Sequence, residues 1–222
     1  MKKLITILLT LILLVFPLSC KKPKPYLSKI SQLRENVYLG SKEDFRLTLY
    51  PESRENPLEN DGVVGKIEKV LIFKLDFSSS DFEYENCKIT FNLGGKSYNG
   101  VFEYKPLSTF LYASVTVESL PQNELTVNLS LDEKSVGLTL LPQKNSNTIS
   151  ADEAISKICD SESNCEAFLN SDKGEIRIRL IDNDGYDYWY VGLLDGEKTV
   201  SYLIDGETGE IIAKKDDFKK QI

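Results

Sequence analysis

Residues 111–140, LYASVTVESLPQNELTVNLSLDEKSVGLTL, decide the fold. Leu111, Ala113, Val115 and Val117 form one alternating run. Val127, Leu129 and Leu131 alternate with Asn128 and Ser130, and Val136, Leu138 and Leu140 complete a third run. A period of two puts the apolar side chains of each run on one side of an extended chain, as in a half-buried strand. Pro121-Gln122-Asn123 and Asp132-Glu133-Lys134 separate the runs with turn-forming residues.

The same period extends upstream. Phe45, Leu47 and Leu49 alternate with Arg46 and Thr48. Val70, Ile72, Leu75 and Phe77 belong to a longer strand, and Ile89, Phe91 and Leu93 flank Thr90 and Asn92. Val101 and Phe102 lie in the run that follows Lys96 to Tyr98. Gly94-Gly95 is a hairpin signal, and Ser78-Ser79-Ser80-Asp81 is a loop by composition. Residues 38–142 therefore predict seven strands arranged as an immunoglobulin-like β-sandwich, without the Cys-Trp-Cys hallmark.

Residues 143–149 are polar and mark a boundary. Ser150-Ala151-Asp152-Glu153 is a capping box, and Ala154, Ile155 and Ile158 give the following helix one apolar face. The period then returns to two. Ile176, Ile178 and Leu180 alternate with Arg177 and Arg179, and Tyr186 to Leu194 and Val200 to Ile204 are further strands. A turn at Asp205-Gly206-Glu207-Thr208-Gly209 precedes a last strand, Glu210 to Ala213. The predicted class is mainly β: a sandwich followed by a small α+β domain over 150–213 and a charged tail over 214–222.

Residues 150–213 resemble a PepSY-type domain. The resemblance rests on the helix Ala151-Asp152-Glu153-Ala154-Ile155, the strand Tyr188-Trp189-Tyr190-Val191, and the closing stretch Tyr202-Leu203-Ile204-Asp205-Gly206-Glu207-Thr208-Gly209-Glu210-Ile211-Ile212. It implies one helix on a small antiparallel sheet and an inhibitory or regulatory role toward peptidases. No peptidase accompanies it in this chain, and Asp160–Asn164 is an insertion relative to the family pattern. Asp205 is placed to accept backbone N–H groups across the closing turn, and Gly209 to take a positive φ.

The N-terminus is set aside before any fold reasoning. Lys2 and Lys3 precede an apolar run from Leu4 to Phe16, shorter than the roughly 20 residues a membrane span needs, so residues 1–19 read as a signal peptide. Phe16-Pro17-Leu18-Ser19-Cys20 resembles the lipobox of bacterial lipoproteins, with Pro17 where the family prefers an aliphatic residue. The resemblance implies that Cys20 carries a diacylglyceryl group and an N-acyl chain such as palmitate, which together anchor firmly to a bilayer. Residues 20–37 then read as a lipidated tether stiffened by Pro23 and Pro25. Lys21, Lys22 and Lys24 either each add about 1 kcal/mol against anionic lipid or only solvate the tether.

The chain has 222 residues, a formal charge of −7 and no histidine. The missing histidine excludes Ser-His-Asp triads, Cys-His dyads and His-based zinc sites. The single methionine, Met1, excludes a Met-rich copper site. Loss of Lys2 and Lys3 with the leader makes the chain two units more negative, which argues against nucleic acid.

Several residues remain as candidates. Cys159 and Cys165 read first as a disulfide in an extracytoplasmic protein. Cys87 reads as a buried, inert thiol. Asp182, Asp184 and Asp187 in Asp182-Asn183-Asp184-Gly185-Tyr186-Asp187 offer oxygens to Ca²⁺, with a plain hairpin turn as the alternative. The polar loop at 54–62 offers Arg54, Glu55 and Asp61 to a partner. Glu55, Glu59 and Asp61 leave carboxylate-based hydrolysis open, although no aromatic sugar platform adjoins them. Tyr188, Trp189 and Tyr190 are aromatic candidates for a contact surface or for the core: Trp189 and Val191 lie on one side of the strand and the tyrosines on the other, and one set is expected to pack on the helix.

These readings converge on a lipid-anchored, extracytoplasmic, non-enzymatic protein in the cell membrane or outer membrane. It binds an envelope protein, such as a peptidase or sensor. The alternative is a lipoprotein that binds Ca²⁺ or a small ligand with its acidic loops; no other cofactor is expected.

Overall fold

The longest alternating strand organises the molecule. In a computed structural model, residues 25–217 are described apart from 43, 60, 79–83, 85, 105–108, 164 and 197. Residues 1–24, which hold the expected leader and Cys20, and residues 218–222 lie outside them. Strand β3, Phe45–Glu55, is flanked along its whole length on one edge by β4, Ile67–Phe77. Its other edge is shared. β2, Tyr38–Lys42, pairs with Phe45 to Leu49, and β1, Ile30–Arg34, pairs with Ser53 and Arg54.

From this branch the sheet runs in three directions. Beyond β2 come β10 (Lys134–Pro142), β9 (Leu125–Leu131), β5 (Cys87–Leu93) and β6 (Lys96–Val101). Beyond β4 come β8 (Phe110–Val117) and the two-residue β7 (Glu103–Tyr104). Beyond β1 come β11 (Gly174–Asn183), β12 (Tyr186–Asp195), β13 (Lys198–Asp205) and β14 (Ile211–Asp217). Every pairing is antiparallel except β1 with β11.

The structure is mainly β, as the alternation predicts. Leu47, Leu49, Leu71, Phe73, Leu75, Ile89, Leu129 and Leu140 are among the buried residues of a first core drawn from β2 to β10. A second core gathers Ala154, Ile155, Ile158, Ile176, Ile178, Leu180, Trp189, Val191 and Ile204. Helix α1, Ala151–Ser161, packs there with its apolar stripe. Its start has the predicted capping box: Ser150 Oγ accepts from Glu153 N, and Glu153 Oε2 accepts from Ser150 N. Among the described residues no helix is long and apolar enough to cross a membrane.

Five details differ from the sequence reading. Residues 25–34, assigned to the tether, form a 3-10 turn (Pro25–Lys29) and β1. Within β4 the residues facing the first core are Leu71, Phe73 and Leu75, so Ile72 lies on the opposite side. Nine strands, rather than seven, occupy 38–142. Lys214 to Asp217 belong to β14 instead of a tail, and a short second helix, α2 (Cys165–Asn170), follows α1.

Candidate functional site

Alternation along β3 sends Phe45, Leu47 and Leu49 into the first core and Arg46, Thr48, Tyr50, Glu52 and Arg54 to the other face. Residues directly opposite in paired strands share a face, so the register extends this one. Arg54 is opposite Gln32 of β1, Gln32 is opposite Arg177 of β11, and Arg34 is opposite Arg179. Arg179 is in turn opposite Tyr190 of β12, whose neighbour at i−2 is Tyr188. The chain has five arginines and all five stand on this one face. The helices and the β5–β9–β10 sheet pack against the other side.

Glu52 is the centre of the face. It is 2% exposed and accepts from Gln32 Nε2 at 2.8 Å, with Arg34 at 3.4 Å and Arg54 at 3.9 Å. Arg34 also donates its Nε to Leu180 O at 3.0 Å and lies 4.6 Å over the Tyr50 ring. Burial lowers the basicity of Arg34, Glu52 opposes that shift, and the like charge of Arg179 adds to it. Arg179 stacks 4.6 Å over Tyr190, whose hydroxyl is 3.0 Å from Ser201 Oγ. Arg46 is exposed and makes no ion pair among the described residues; Asp76 opposite it is taken by Lys74 at 2.9 Å. A cavity of about 380 Å³ opens where β1 gives way to β2 along β3. Arg34, Arg46, Tyr50 and Lys74 line it on one side and the β11–β12 turn on the other.

The other candidates separate. Glu55 ends β3 as a buried side chain, 6% exposed, and accepts from Gly65 N. Fully buried Glu175 accepts from Gly62 N at 2.7 Å, and Arg177 donates to Glu59 O. Asp61 accepts from Val63 N inside its own loop. Two inward carboxylates, Glu55 and Glu175, thus hold Gly65 and Gly62 to the sheet, which corrects the reading of Glu55 as a partner-binding residue, while Asp61 stays exposed. Trp189 is also corrected as a contact residue: it is fully buried and donates Nε1 to Ile149 O at 3.1 Å.

Asp182, Asp184 and Asp187 do not converge. Asp184 and Gly185 have φ of 52° and 85° and form the two-residue turn of the β11–β12 hairpin. Asp182 accepts from Gly185 N at 3.2 Å. Asp187 is 8% exposed and accepts from Asn145 N at 2.8 Å and from Thr148 Oγ1. Among the described residues no three Asp, Glu or Cys side chains gather to hold a metal ion.

Cys159 and Cys165 are disulfide-bonded across the end of α1 and the start of α2. Cys87 is a buried free thiol, pushed up to about 11 by burial and by nearby Asp132, so it is no nucleophile at neutral pH. The residues that sequence reasoning missed are Gln32, Arg34, Arg46, Tyr50, Glu52, Arg177 and Arg179. Their signal was the fixed polar phase of Arg46 and of Arg177 and Arg179 within apolar runs; the register that unites them is non-local.

No protein-family model, curated protein or solved structure matches the chain. The class defined by fold and site is a mainly β protein whose two cores lie behind one sheet face that carries all of its arginines.

Proposed function

We propose that this protein is a lipid-anchored, extracytoplasmic lipoprotein that works without catalysis, by binding another protein of the cell envelope and so modulating a peptidase or sensor. The stretch from Lys2 to Cys20 supports the leader and the anchor on Cys20. The strands around the first core support an immunoglobulin-like sandwich, and α1 against β11 to β14 supports a PepSY-like module. One observation carries the binding role. Arg54, Tyr188 and Tyr190 stand on a single sheet face that continues from the first half into the second. Arginine and tyrosine are the residue types that anchor protein interfaces.

The test is photo-cross-linking in intact cells from a probe at Ser114, an exposed position on the same face, run with wild-type and Cys20→Ala protein. Wild-type protein fractionates with membranes and gives a discrete adduct; Cys20→Ala is released and gives much less. Absence of any adduct from the face removes the binding role. Undiminished lipid labelling of Cys20→Ala removes the anchor.

A further inference from the structure

All five guanidinium groups of an acidic protein share one surface, while its 22 lysines are spread along the chain, with Lys74 and Lys215 on that same surface. That segregation demands a physical account. Arginine and lysine supply the same charge, so solubility alone does not distinguish them. Arginine differs in presenting a planar fork of donors that matches a carboxylate in two-point geometry, and in stacking flat on aromatic rings. The stacking occurs here. Arg34 lies on Tyr50 and Arg179 on Tyr190, each at 4.6 Å, so rings hold both guanidinium planes in place.

Charge on this face is also incompletely answered. Arg34 and Arg179 are opposite each other on β1 and β11, and like charges directly opposite are destabilising. Glu52 answers Arg34 and Arg54. Arg179 has no ion pair among the described residues, and neither does exposed Arg46 at the mouth of the cavity. The cavity beside them, about 380 Å³, takes a few side chains of an extended segment rather than a domain.

We infer that this face receives a carboxylate-bearing segment of a partner protein, with Arg46 and Arg179 pairing its carboxylates and Tyr190 holding the Arg179 plane in place. The inference rests on the protein-binding role proposed above and names the chemistry of the partner. Charge complementarity selects the occupant. Glu52, Asp76 and Glu175 are interleaved with the arginines, Asp182 and Asp184 line the far wall of the cavity, and the molecule is acidic overall. A continuous polyanion such as nucleic acid or an anionic bilayer would press phosphates against those carboxylates. Separate side-chain carboxylates on an extended chain reach the arginines and leave the interleaved acids untouched.

The probe is a short labelled peptide alternating Glu with Thr. Its control alternates Gln with Thr. Anisotropy is read with the full-length lipoprotein in neutral detergent. The Glu peptide binds, the Gln peptide does not, and added salt weakens binding. Arg46→Ala and Arg179→Ala each weaken it about tenfold, whereas Lys88→Ala, on β5 and away from this face, leaves it unchanged. Arg46 is exposed, so its variant keeps the native melting temperature and reports binding alone. Equal binding of the Gln peptide, or no effect of Arg46→Ala, overturns the inference. So does tighter binding to phosphatidylglycerol vesicles than to the Glu peptide, when that vesicle binding is lost in Arg46→Ala. The cellular adduct separates the two levels of claim. An adduct retained at full yield in Arg46→Ala/Arg179→Ala removes the acidic segment and keeps protein binding; no adduct in wild type removes both.

Discussion

Asp205 holds the β13–β14 turn with one carboxylate oxygen. Its Oδ1 accepts from Glu207 N at 3.0 Å, Thr208 N at 2.7 Å and Thr208 Oγ1 at 2.9 Å. The hydrogen bonds from Thr208, and then from Glu207, hold the carboxyl below the usual carboxylate range. A depressed folded-state pKa adds stability above the unfolded value near 3.9, and that stability is lost as pH falls through the folded pKa. Asp205→Ala is therefore expected to cost about 1 kcal/mol at neutral pH, the exposed site screening the rest. In urea titrations the gap between wild type and variant stays constant above about pH 5 and shrinks below about pH 4. A gap independent of pH would contradict this account. This residue was legible from sequence, because all the partners of its carboxylate lie within three positions along the chain.

Local signals made α1 equally legible, since Ser150 and Glu153 complete the capping box within four consecutive residues. Ser150→Ala removes an acceptor from the helix start and is expected to destabilise by about 1 kcal/mol. The loss appears as a lower urea midpoint with unchanged slope; an unchanged midpoint would show that tertiary packing of Ile155 and Ile158 alone fixes the helix. β1 shows the opposite case. Ile30-Ser31-Gln32-Leu33-Arg34 has neither period two nor a run of β-branched residues, so it read as tether. It is a strand because β3 and β11 supply hydrogen-bonding partners on both sides. β4 lies between these extremes: the whole run Val70-Leu71-Ile72-Phe73 is apolar, so composition left its phase open until β3 and β8 set it. The arginine face was hidden for the same reason as β1. Arg46, Arg177 and Arg179 are visibly in the polar phase of their own runs, but only the two registers of β1, with β3 and with β11, place all five arginines on one surface.

At the scale of the molecule, the two cores are separate clusters joined by a backbone ladder through β1. β1 is central, pairing with β3 on one edge and β11 on the other, and the strap from Gly62 to Glu175 and from Arg177 to Glu59 closes the same junction. Breaking a central strand removes ladder bonds that no neighbour replaces. The cores should therefore unfold together in the wild type and apart when β1 is broken. Trp189, the only tryptophan, is fully buried in the second core, so its fluorescence reports that half alone while far-UV circular dichroism reports the whole. Wild-type protein is expected to give coincident urea transitions by both probes. Leu33→Pro is expected to move the fluorescence midpoint well below that of dichroism, because the smaller second core loses the strand that ties it to the first. Coincident curves in Leu33→Pro would mean the cores communicate by packing rather than through the ladder. Divergent curves in the wild type would mean the shared face is assembled from halves that fold independently, and a partner reading both Arg46 and Tyr190 would then have to order them as it binds.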